Sequence, residues 1–271
     1  MNVAMTDVAD VLPSGTGPEG RSISVIVTAM NEEGNLGPTV DAVVKAIAPR
    51  FPQYEVIIID DGSRDRTPHV AQQLAADNAR IRVHRNPRNM GLADSYRTGI
   101  RLTTGQYTSW VAGNNLVPAE AFERIYDRVG ERDMVVTYIL RDVRGRRRRM
   151  LSRTFTRSVN LLFGGRLRYY TGPCVYRSDV AKRLRTRAQG SMFVAEVLIR
   201  LLMAGQTYVE VGLQPLSRSS GSTKTFRLRN VVGVLASVAR LFWELRVQRA
   251  LGMARQSEVR VAHNDPVVPS R

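Results

Sequence analysis

The stretch YEVIIIDDGSRDRTPHV, residues 54–70, opens as an apolar, β-branched run and breaks at two carboxylates and a glycine. It restarts as a helix, with Thr67 as the expected N-cap and Pro68 at the first helical position. A strand that ends in polar residues and turns at once into a helix is the repeating unit of a sheet wound by crossover helices. The same unit recurs outward from it. SISVIVTA (residues 22–29) is a first buried strand, followed by a helix with Leu36, Val40, Val43, Val44 and Ile47 at helical spacing. IRVHR (81–85), YTSWVA (107–112) and MVVTYI (134–139) are further strands, separated by helical patterns over 92–102 and 119–129. An α/β fold is therefore expected.

Beyond Arg141 the texture changes. RDVRGRRRR (141–149) holds six arginines in nine residues, a segment expected to stay solvated or to meet an anion. A helix around 152–163, the stretch YTGPCVYR, a helix over 192–204 carrying Glu196, a strand YVEVGLQPL and the polar loop SRSSGSTK follow. The last patterned piece places Val231, Val234, Leu235, Val238, Leu241, Phe242 and Leu245 on one broad face. That pattern suits a helix lying on a membrane or one docked on the core, and the sequence favours neither.

Composition narrows the partners. The 271 residues carry a formal charge of +16, and the only lysines are Lys45, Lys182 and Lys224, so arginine supplies most of it. Such a chain is expected to seek phosphate in a nucleotide or at an anionic surface. Nucleic acid is disfavoured, since no basic motif is interleaved with aromatic residues. Cys174 is the sole cysteine, which excludes an intramolecular disulfide and any multi-cysteine metal site. Its expected role is a small buried apolar residue. No stretch reaches the roughly 18 apolar residues of a membrane span.

In an open wound sheet, ligands bind beyond the carboxyl ends of the strands. Asn31 and Glu32 follow the first strand, Asp60 and Asp61 the second, Asn89 and Gly91 the third, Asn114 and Asn115 the fourth. Singly each is an ordinary turn former, but four polar ends converging on one edge predict a site. No phosphate-gripping glycine loop of the dinucleotide or P-loop kind is present, so the carboxylates are expected to meet a base, a ribose or a metal.

These residues carry a resemblance. VTAMNEEGNL, IIIDDGSRDRT and NPRNMGLADSYRTGI resemble the N-terminal half of family 2 glycosyltransferases, and TGPCVYRSD with the 193–224 region resembles the dolichyl-phosphate mannose synthase branch. The resemblance implies a GT-A, Rossmann-like architecture: a mixed, mainly parallel sheet flanked by helices, with a C-terminal amphipathic helix. It implies an inverting glycosyltransferase that moves a sugar from an NDP-sugar to a polyprenyl phosphate at the cytoplasmic membrane face. A hydroxyl acceptor, or nucleotide-sugar binding without turnover, are the alternatives. It divides the chain into a tail (1–20), a GT-A domain (21–226), an interfacial helix (227–255) and a second tail (256–271). The oligomeric state is not specified.

By the same resemblance Asn114, Asn115, Glu196 and Arg218 lie at the reaction centre. Thr28, Asn31, Glu32, Asp60, Asp61, Ser63, Asn89, Gly91, Gly113, Ser222 and Lys224 surround the donor. Two departures stand out: Thr28 where proline is frequent, and Gly113-Asn114-Asn115 where the family has Asp-x-Asp. Hard cations favour carboxylate oxygen, so Mg2+ or Mn2+ is expected to be weakly held, by Asp61 and Asn115, or dispensable. In the second case arginines neutralise the diphosphate, with Arg218, the 141–149 cluster and Lys224 as candidates. Glu196 has a rival reading, a buried acid paired with Arg200 one turn on.

Overall fold

The computed structural model describes residues 20–142, 145–216 and 228–247. The first half alternates β1 (Ser22–Ala29), α1 (Leu36–Ile47), β2 (Gln53–Asp60), α2 (Thr67–Asp77), β3 (Ile81–Arg85), α3 (Leu92–Leu102) and β4 (Tyr107–Ala112). Then come α4 (Ala119–Asp127), β5 (Met134–Ile139), α5 (Arg146–Phe163), β6 (Cys174–Arg177), α6 (Ser178–Arg183), α7 (Met192–Met203) and β7 (Tyr208–Leu213). Helix α8 (Leu228–Phe242) follows and continues as a π-helical turn, Trp243–Val247.

One seven-stranded sheet has the order β3-β2-β1-β4-β6-β5-β7. Only β6 runs against its neighbours, pairing antiparallel with both β4 and β5. The architecture is thus the expected mixed, mainly parallel sheet flanked by helices. Its central strands are buried on both faces, which is why they read as continuous apolar runs rather than alternating ones. Period-two geometry sorts them: Ile57, Ile59, Trp110 and Tyr176 face the layer of α3, α5 and α7. Val56, Ile58, Val111 and Val175 face α1 and α4. Each fully buried Val or Ile contributes about 1.5–3 kcal/mol.

Two sequence expectations shift, and for α8 one of two open readings is seen. Thr67 is the first helical residue rather than the N-cap, and its hydroxyl serves another loop. The arginine run does not stay in a loop; Arg146 to Arg149 form the first turn of α5. Here the apolar positions farther along, Val159 and Phe163, anchor the helix, and arginine propagates helix well. The face of α8 carrying Val238, Leu241 and Leu245 is buried in the protein core, and Phe242 meets Phe163 edge-on at 6.3 Å. Cys174 is buried, and desolvation pushes its thiol up to about 12, so it is an inert core residue. No helix among the described residues is long and apolar enough to cross a membrane.

Candidate functional site

The carboxyl edge of the parallel strands is built by two loops that hydrogen-bond to each other. Asn31, just past β1, has φ 55° and donates its N–H to Ser63 Oγ at 2.9 Å, while its Oδ1 accepts from Arg64 N at 2.9 Å. One residue on, Glu32 N donates to Thr67 Oγ1 at 2.8 Å. Arg66 N donates to Glu33 Oε2, and Glu33 N to Asp65 Oδ2. The side chains of the β2–α2 loop therefore satisfy backbone donors of the β1–α1 loop, and the reverse. Burial raises the Asp65 carboxyl, but the Thr67 hydroxyl and backbone N–H groups outweigh it and hold the group below its ordinary range.

The two aspartates ending β2 do different things. Asp60 is fully buried; its Oδ1 accepts from Ser63 N at 3.0 Å, and Oδ2 lies 3.1 Å from Arg85 Nε in an ion pair without hydrogen-bond alignment. Asp61 holds the β3–α3 loop: Oδ1 accepts from Asn86 Nδ2 and Met90 N, both at 2.8 Å, and Oδ2 from Gly91 N at 2.9 Å. Between them and the β3–α3 loop, Gly62 (φ 72°) packs so closely that a Cβ would come within 2.5 Å of the Arg88 carbonyl carbon.

Two adjoining clefts open here and share Met30. The larger, about 740 Å3, is lined by Asn31, Ser63 and Asn89 and by three arginines, Arg64, Arg85 and Arg88, with no acid in its wall. A volume of that size accommodates a small-molecule ligand. The smaller, about 200 Å3, is lined by Thr28, Glu32, Asp61, Gly113 and Asn114. Thr28 is tied into the core, its Oγ1 accepting from Trp110 Nε1 at 3.2 Å, and Gly113 N donates to Thr28 O at 2.9 Å.

Asn115 has φ 50°, a left-handed conformation that asparagine tolerates better than most residues, and its N–H donates to Thr39 Oγ1 at 3.0 Å. This gives the amide at 115 a backbone reason independent of any ligand. The residues do not fit a tight divalent-ion site. Asp61 already accepts three hydrogen bonds, Asn114 and Asn115 are neutral, and no cluster of three His, Cys, Asp or Glu occurs among the described residues.

Of the predicted residues, Thr28, Asn31, Glu32, Asp61, Ser63, Asn89, Gly113 and Asn114 line the two clefts, whereas Asp60, Gly91 and Asn115 are not among the lining residues. Glu196 is placed apart from the cleft walls, as its rival reading expected: fully buried on α7, with Oε1 accepting from Arg200 Nε and Nη2 at 3.0 and 2.9 Å. Its Oε2 accepts from Arg187 N and Ala188 N, fixing the loop before α7. Arg218, Ser222 and Lys224 lie outside the described residues. Sequence reasoning overlooked Arg64, Arg85, Arg88 and Asn86; the available signal was their position beyond β2 and at the end of β3, on the same sheet edge as the acids.

The family model for glycosyl transferase family 2 matches residues 24–185. Glycosyltransferase AglD of Haloferax volcanii is 26% identical over 249 residues, covering 87% of this chain and 39% of the relative. A dolichyl-phosphate beta-glucosyltransferase of Trichomonas vaginalis is 24% identical over 122 residues, covering 43% of this chain and 36% of the relative. The chain therefore spans at most about two fifths of the length of these curated relatives. Glucosyl-3-phosphoglycerate synthase from Mycobacterium tuberculosis, solved with Mn2+, UDP and phosphoglyceric acid, superposes with a TM-score of 0.63 at 18% identity. That match covers 83% of this chain and 78% of the other and shows a shared GT-A-like, Rossmann-type fold.

Proposed function

The chain belongs to glycosyl transferase family 2, and on that footing we propose that it transfers a sugar from a nucleoside-diphosphate sugar to a hydroxyl-bearing acceptor. The observation that carries the reading is the pair of adjoining clefts at the sheet edge, one walled by three arginines and the other by Glu32 and Asn114. In the reaction, an acceptor oxygen forms the new bond to the anomeric carbon as the bond to the diphosphate oxygen breaks. The nucleoside diphosphate leaves with the electron pair, and the acceptor proton passes to a base or to solvent.

We assign donor binding to Thr28, Asn31, Glu32, Asp60, Asp61, Ser63, Asn89, Gly91 and Gly113, and contact with the transferring sugar to Asn114 and Asn115. Most of these side chains act by holding backbone in shape; Asp61, for one, is committed to the 86–91 loop. Charge on the diphosphate falls to Arg64, Arg85 and Arg88, whose planar guanidinium groups match phosphate oxygens. A divalent ion, weakly held at best by this donor set, would add to that neutralisation, and no step here depends on it. Residues 21–226 act as the transferase domain.

A second reading, with polyprenyl phosphate as acceptor, is supported by the name of the Trichomonas relative and by the arginines of α5, the helix that follows β5. A phosphate monoester is ionised above a second pKa of about 6 and attacks unaided, whereas a hydroxyl requires a base in reach.

Calorimetric titration with UDP, GDP and dTDP, each with Mg2+, Mn2+ or EDTA, tests the donor site. One nucleotide is expected to bind, with binding that persists in EDTA and weakens by about tenfold or more in Arg85→Ala/Arg88→Ala, since each charge-assisted bond is worth about 1.5–3 kcal/mol. Failure to bind any nucleotide under any condition overturns the reading. Turnover of phosphoglycerate-like hydroxyl acceptors against polyprenyl phosphate then separates the acceptor classes.

A further inference from the structure

Helix α5 contains six arginines and no acid in 18 residues. One face seats it in the core through Thr156, Val159 and Phe163. Spacing of four, three, four and four residues brings Arg146, Met150, Arg153, Arg157 and Leu161 onto the opposite face. All five are exposed, Met150 at 67% and Leu161 at 85%. Large apolar side chains left in water between cations fit a surface that is both anionic and apolar.

We propose that this face of α5 docks on an anionic lipid membrane, with Arg146, Arg153 and Arg157 at the headgroups and Met150 and Leu161 entering the interface. Charge complementarity selects the occupant. A helix that begins with four arginines at its positive end carries an unfavourable dipole interaction, which lipid phosphates offset. The interleaved residues are aliphatic rather than aromatic, which suits acyl chains and gives nucleobases nothing to stack on. Helix α8, whose apolar pattern suited a membrane or the core equally, has Val238 and Leu241 buried, as is Leu245 in the turn that follows.

Strand β5 runs parallel to β1 and β4 through the order of the sheet, so its end lies at the cleft edge, and the first turn of α5 follows within seven residues. The docking does not depend on the transferase reading, and its test involves no turnover.

The full chain is mixed with phosphatidylcholine vesicles, with and without phosphatidylglycerol, and sedimented at low and high salt. Binding is expected only with the anionic lipid and to fall with salt. Arg153→Glu/Arg157→Glu is expected to weaken it by at least about thirtyfold, taking each arginine near an anionic surface as about a fivefold effect. Met150→Ser/Leu161→Ser is expected to weaken it while preserving the salt dependence. Circular dichroism checks that both variants fold. Equal binding to neutral and anionic vesicles, or full binding by the arginine variant, overturns the proposal. So does tighter binding of a single-stranded oligonucleotide that Arg153→Glu/Arg157→Glu loses and Met150→Ser/Leu161→Ser retains, which assigns the face to nucleic acid.

Discussion

Gly62, in the wall of the larger cleft, and Gly91, at the start of α3, both sit at positive φ, 72° and 90°, and their surroundings separate two costs. At Gly91 a Cβ meets nothing within 4 Å, so Gly91→Ala carries backbone strain alone, about 1–3 kcal/mol. At Gly62 the same methyl runs into Arg88 and Asn89 backbone at 2.5–2.8 Å, and the β3–α3 loop must move away from the larger cleft. Gly62→Ala is therefore expected to lose about 2–4 kcal/mol in urea unfolding and to weaken nucleotide binding more than Gly91→Ala does. The amides beyond β4 invite the reverse kind of change. Asn115→Asp places a carboxylate at the second acidic position of the Asp-x-Asp that the resemblance expects at residues 113–115. It is expected to tighten Mn2+ in the presence of nucleotide by tenfold or more, read by calorimetry.

Whole elements decide what was legible beforehand. β1, β4 and β5 fall at the bounds their β-branched runs predict, because strands largely buried on both faces have no competing pattern, and the short edge strand β3 does so as well. The convergence of Asn31, Asp60, Asp61 and Asn114 was equally legible, since it follows from strand ends alone. Strand β6 was not: it is four residues long, and its antiparallel place between β4 and β5 is set by distant pairing of Cys174 with Trp110 and Val136. The i,i+4 spacing offered the Glu196–Arg200 pair, but not the bonds from Arg187 N and Ala188 N to Glu196 Oε2, nor that Arg85 faces a cleft, because both depend on which loop packs opposite. The ambiguity of α8 also lay outside the sequence, since an apolar stripe does not name its partner. Its docking yields a prediction. Leu241 is fully buried, so Leu241→Ala is expected to cost about 2–5 kcal/mol in urea unfolding without lipid, whereas a stripe waiting for a membrane would give almost none.

Across the whole molecule, acid ties both edges of the sheet. At the amino edge Glu55 accepts from Ser24 Oγ, Thr104 N, Thr104 Oγ1 and Arg82, joining β1, β3 and the turn before β4. Burial raises its carboxyl, but these hydrogen bonds outweigh burial and hold it below its ordinary 4.5. At the carboxyl edge Asp65 is likewise held below 3.8. A folded-state pKa lower than the unfolded one contributes stability that is fully present above the unfolded value. That stability is lost as pH falls through the folded one. Unfolding free energy should therefore stay flat from about pH 7 to about pH 5 with respect to these groups and fall below about pH 4.5. On a chain of charge +16 the protonation of each acid also adds unbalanced repulsion, so added salt should soften the fall. Glu55→Gln keeps much of the shape and removes the charge. Urea midpoints measured across this range should show it less stable than the wild type near neutrality, with the two curves converging in acid as the wild-type carboxyl takes up its proton. Parallel curves would mean that Glu55 acts through packing alone.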